Sequence, residues 1–158
     1  MDDTLKQEFT RRISQCNKGE LVVIKFEIAF AYIDDAKKAK EADDYETFKQ
    51  ALRNGQDVLN SMIKALDFAY EISKQLHPLY VYCRNLMAKA IYQYKLDGVD
   101  EAEKILRRLH ASFKEAAKTD TSGPLMQNVQ KVYAGITYGK MDLNESYMNY
   151  DTHRGFLA

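Results

Sequence analysis

The chain has 158 residues, and its 23 Lys and Arg balance 23 Asp and Glu, so at zero net charge it carries no electrostatic footprint for nucleic acid or an anionic membrane surface. Its length predicts one domain able to bury roughly two thirds of its unfolded surface without a disulfide. The charged opening MDDTLKQEFTRR and the lack of any apolar run near about 20 residues argue against a secretory signal or stable membrane insertion, and lead us to expect a cytoplasmic protein.

In chain order, Leu5, Phe9, Ile13 and Cys16 recur at helical spacing and predict a short amphipathic helix over about residues 4–16, too short to stand alone. Asn17 and Glu20 have capping-box spacing and open a long helix over about residues 18–41. This helix is apolar on two sides. Val22, Phe26, Ala29, Phe30 and Ile33 form one stripe, and Leu21, Ile24, Ile28, Ala31 and Tyr32 form another on roughly the opposite side. A surface helix would show one stripe, so the second must be covered by more of the chain, a second copy or a client. Glu27, Asp34 and Lys38 make a polar strip on one flank, while Lys25 and Ala36 interrupt the other.

Asp43 and Glu46 repeat the capping signal ahead of a third helix over about residues 44–69, whose seam is Phe48, Leu52, Gly55, Leu59, Met62 and Leu66. Gly55 on that seam predicts close approach of a neighbouring backbone. A break near residues 70–73 precedes a helix over about residues 74–96, with Leu76, Leu79, Tyr80, Cys83, Leu86 and Met87 leading its apolar stripe. Pro78 is expected in its first turn or two, and Asp97 with Gly98 at its end. Asp100 and Glu103 provide a third capping box for a helix over about residues 100–118, carried by Ala102, Ile105, Leu106, Leu109 and Phe113. Short connections between long helices predict an all-α, antiparallel up-and-down four-helix bundle over residues 1–118. From Thr119 the periodicity fades while Tyr133, Ile136 and Tyr138 keep apolar area between glycines, so residues 119–158 read as an irregular C-terminal extension packed on the bundle.

Catalytic and metal chemistry finds no support. A di-iron bundle needs Glu-x-x-His pairs, and His77, His110 and His153 have no Glu three residues before them. No nucleophile elbow, phosphate loop or zinc spacing occurs, and Cys16 and Cys83 stand apart, as expected of two reduced thiols. We therefore expect no catalytic site, no metal, no cofactor and no small-molecule substrate. A His phosphorelay domain would need a Lys three residues after His110 followed by Gly; instead Lys114 lies four residues on and is followed by Glu115.

Three phrases together resemble the flagellar secretion chaperones, the FliS family. ELVVIKFEIAFAYIDDA is similar to that family's leading helix, with Phe26 and Glu27 as its aromatic-acidic pair and Ala36 downstream. ALRNGQDVLNSMIKALDF is similar to its second helix, and LHPLYVYCRNLMAKA, with the Leu-Tyr-x-Tyr core of Leu79, Tyr80 and Tyr82, is the most family-like phrase. VYAGITYGK and RGF resemble the C-terminal extension of a clostridial branch. The chain departs from the usual pattern at Lys25, Phe26, Ile28 and Phe113, where Leu, Tyr, Gly and Trp are common.

The resemblance implies a non-enzymatic export chaperone. Its partners would be the C-terminal segment of monomeric flagellin, held by helix-in-groove recognition with coupled ordering, and a component of the flagellar type III export gate. Leu21, Ile24, Ile28 and Tyr32, together with Tyr82 and Tyr92, are the expected client contacts. The N-terminal helix, through Leu5, Phe9 and Ile13, and the tail, through Tyr133, Ile136 and Tyr138, are expected to cover the groove. A homodimeric structural bundle, with the second stripe as its interface, is the alternative.

Overall fold

The structure, a computed structural model, describes residues 1–126, with five helices and no strand among the described residues. They are α1 (Asp3–Gln15), α2 (Lys18–Glu41), α3 (Tyr45–Lys64), α4 (Glu71–Gln93) and α5 (Asp97–Ala117). In the long-helix bundle α2 packs on α3 and α5, α3 on α4, and α4 on α5, while α1 lies against α2.

The α2 start follows the sequence closely. The Asn17 side chain accepts from the Glu20 amide at 2.9 Å, and the Asn17 amide donates to Glu20 Oε2 at 3.2 Å. The next start differs by a residue, because Asp44 is the cap, accepting from the Thr47 amide at 3.1 Å, and Asp43 is left-handed at φ 53°. At α5 the expected box is absent. The helix already begins at Asp97, inside which Asp100 and Glu103 instead pair with Lys37 of α2.

The α3–α4 connection also differs from expectation. Helix α3 stops at Lys64, and α4 begins at Glu71, so Pro78 stands in the helix interior beyond the first two turns. What ends α4 is Tyr94, left-handed at φ 53°, rather than Asp97 and Gly98. An aromatic residue rarely adopts that conformation. Here its hydroxyl donates to Asp43 at 3.0 Å, Lys40 Nζ lies 3.6 Å from its ring centroid, and Phe48 and Tyr45 meet the ring edge-on.

The core assigns the two sides of α2. Phe26, Ala29, Phe30 and Ile33 of the first stripe are buried in the bundle, as is Ala36, which the sequence placed on an interrupted flank. They meet Phe48, Leu52 and Leu59 of α3, Tyr80, Cys83 and Met87 of α4, and Val99, Ala102 and Leu106 of α5. Burial of each large side chain contributes roughly 1.5–3 kcal/mol before conformational entropy is set against it. Gly55 does permit close packing, but the neighbour is a side chain. A Cβ there would lie 3.3 Å from Met87 Sδ. Leu79, expected in the buried stripe, is exposed. Both cysteines are buried free thiols, and burial pushes the Cys83 thiol up to about 12.

Candidate functional site

The second stripe of α2 forms a separate apolar cluster. Ile24 is buried against Phe9 and Cys16, with Ile13 from α1 and Leu21, Ile28 and Ala31 from α2 packed around them. The covering helix has only 13 residues, a length at which an isolated helix is marginal in water. Its other anchors are polar. Arg12 Nη1 lies 2.5 Å from Glu27 Oε2, and the Met1 amino group pairs with Asp35. Beside this seam, between α1, α2 and α5, a cleft of about 470 Å³ is lined by Arg12, Cys16, Val23, Ile24 and Lys114 among others.

Glu27 joins three helices, since His110 Nε2 of α5 lies 3.3 Å from its other oxygen. Burial raises the Glu27 carboxyl, but the hydrogen bonds from Arg12 and His110 outweigh it and hold the group below the usual carboxylate range. His110 also meets the Phe26 and Phe30 rings edge-on at 6.2 and 5.4 Å and is only 18% exposed in its side chain. That is an edge-of-core histidine packed by aromatics, unlike an open phosphoacceptor.

A strap from the C-terminal side closes over the same corner. Beyond α5, the Asp120 carboxylate accepts from the Gly19 amide at 3.0 Å, and the Leu125 amide donates to the Cys16 carbonyl at 3.0 Å. A carboxylate at an α2 N-terminal amide is favoured by the helix dipole. Hydrogen bonds from Ser122 and Gly19 help hold it below the usual range. Glycine lets the carboxylate come this close, because a Cβ at residue 19 would lie 2.7 Å from Asp120 Oδ2 and would push that side chain aside.

A further cleft, of about 180 Å³, opens under the α3–α4 connection. Val22, Met62, Leu66, Leu76, Tyr80 and Phe113 line it, with Lys18, Lys25, Asp67, Tyr70 and Ile72 also on its wall. Phe68, Tyr70 and Ile72 of this corner are all more than half exposed, at 51%, 63% and 56%.

The expected site residues divide accordingly. Leu21, Ile24 and Ile28 gather with Phe9 and Ile13, as the two-stripe pattern and the short amphipathic helix suggested. Tyr32 is half-buried beside Asp35 and Met1, in a different cleft from the seam. Leu5 is exposed and does not join the seam. Tyr82 and Tyr92 are exposed on α4, away from it, and Tyr82 donates to Glu101 at 2.6 Å. Tyr133, Ile136 and Tyr138 lie outside the described residues. Sequence reasoning missed Val23 and the cleft role of Tyr80. The first falls between the stripes on a helical wheel, and the second was read only as core. No group of metal-ligating side chains occurs among the described residues, and no helix of the described chain is long and apolar enough to cross a membrane.

A closed helical core, plus an apolar face of its central helix held under a short peripheral helix, defines an all-α bundle with a covered second seam. The family described as Flagellar protein FliS matches residues 1–120. The chain belongs to that family, the flagellar export chaperones. No curated protein matches it.

Proposed function

We propose that the protein is a cytoplasmic chaperone that binds the C-terminal segment of monomeric flagellin, prevents its premature polymerisation and brings it to a component of the flagellar type III export gate. In this reading the four long helices run antiparallel, up and down, as their short connections favour, and the client lies as helix and extended chain along the bundle. The observation that carries it is the second stripe of α2. Leu21, Ile24 and Ile28 are apolar area outside the main core, and the element over them is a marginal helix that a client helix can replace. The same observation weighs against a homodimer through that stripe, since α1 already occupies it.

The test is calorimetry with a peptide of the flagellin C-terminus. Groove burial requires a negative heat-capacity change on binding. Ile24→Asp with Ile28→Asp should abolish binding while the helical circular dichroism of the bundle remains, because the substituted stripe faces α1 rather than the main core. Binding with no heat-capacity decrease, or undiminished binding by the double variant, would refute the reading.

A further inference from the structure

The cleft under the α3–α4 connection carries two polar groups that have no hydrogen-bond or ion-pair partner among the described residues. Tyr80 is 2% exposed, and its ring packs edge-on to Phe26 at 6.1 Å. Its hydroxyl makes no hydrogen bond among the described residues. Every fully enclosed side-chain polar atom among the described residues has a partner, so the Tyr80 hydroxyl keeps some of the residue's small exposure, and Tyr80 lines the cleft. Burial pushes the phenol above its ordinary range, so the group stays protonated and can donate. Lys25, half-buried on the same wall, has no carboxylate partner among the described residues.

Two further charged groups stand on the cleft wall, Lys18 and Asp67. Asp67 accepts from the Ala69 amide at 2.9 Å, and the Lys18 charge acts on Asp120 of the strap, which leaves the wall with two positive charges against one negative. An apolar pocket with a buried hydroxyl donor and an ammonium that no described carboxylate pairs is complementary to a carboxylate-bearing apolar segment. A neutral hydrocarbon would leave both groups unsatisfied.

We propose that this cleft receives an apolar side chain of the client segment and reads a neighbouring Asp or Glu of that segment through the Tyr80 hydroxyl and Lys25. The inference rests on the flagellin reading above and adds a carboxylate requirement to it. It makes Tyr80 and Lys25 specificity residues, separate from the α1 seam.

Fluorescence-anisotropy titrations test it with the full chain and two probes: the C-terminal flagellin peptide of the same cell, and that peptide with every Asp and Glu changed to Asn and Gln. Tyr80→Phe keeps the ring packing, and Lys25→Met changes only a half-buried side chain, so circular dichroism should stay unchanged for both. Each variant should weaken the native peptide about tenfold, as expected for a lost hydrogen bond to a charged group, and leave the amide peptide unaffected. If Tyr80→Phe loosens the fold, Lys25→Met alone decides. Native-peptide binding that is equal across all the proteins would overturn the proposal while leaving the flagellin reading intact. Tighter binding by the variants would also overturn it, by showing that the cleft holds an acidic stretch of this chain such as residues 141–151, MDLNESYMNYD. Absence of native-peptide binding to the unaltered chain would remove the flagellin reading and this inference together.

Discussion

Glu27 ties α1 to α2 and α5 by charge and hydrogen bonding, beside the apolar seam. One of its oxygens faces Arg12 of α1 and the other faces His110 of α5. Its folded value lies below the ordinary carboxylate range, so by linkage its contribution is complete above that range and is lost as pH falls through the lowered value. The loss should appear first where Arg12 is anchored. Amide exchange in α1 should therefore accelerate on going from neutral pH to about pH 3, ahead of exchange in α3, after correction for the intrinsic pH dependence of exchange. Glu27→Gln should reproduce the loosening at neutral pH, at a cost of about 1 kcal/mol for a partly exposed charged hydrogen bond. Protection in α1 that ignores both the acid and the substitution would mean that α1 is held by apolar packing alone.

At the scale of elements, α1 is the peripheral helix, packed chiefly on α2. It contributes Phe9 and Ile13 to the seam but leaves Leu5 exposed, and a cleft remains beside it. Deleting the residues before Ser14 should raise the client on-rate and also self-association, since it bares Ile24 and its neighbours as an exposed apolar patch. Stopped-flow binding and light scattering measure the two effects, and no change in either would make α1 ordinary packing. Much of this arrangement was legible in the sequence, because a helix with two apolar stripes and a short helix with one are both written in spacing. Which stripe faced inward was not legible. A helical wheel separates the faces without ordering them, and only the partners of Phe26 and Ile24 settle the matter. The α4 boundaries failed for a different reason. Pro78 suggested a nearby helix start and Gly98 a helix end, whereas tertiary contacts around Tyr94 stabilise the left-handed stop. Tyr80 escaped notice as a site residue because its buried ring matches the core pattern, and only three dimensions show that its hydroxyl has no partner among the described residues.

For the whole molecule, the decisive geometry is where the described chain leaves the bundle. Residues after α5 return to the start of α2, where Asp120 holds Gly19 and Leu125 holds Cys16, next to the α1 seam. The described chain therefore ends beside the α1 seam, and the sequence after Met126 includes Tyr133, Ile136 and Tyr138. A covalently attached apolar segment competes at high effective concentration. Chain truncated after Thr121 keeps the Asp120–Gly19 contact and loses the competitor, so it should bind flagellin peptide about tenfold more tightly with its melting temperature nearly unchanged. Titration calorimetry and thermal melts of the two lengths decide the matter. Weaker binding on truncation would make residues 122–158 part of the client surface, and a large fall in melting temperature would make them part of the stabilising core; either result would end the competitor reading.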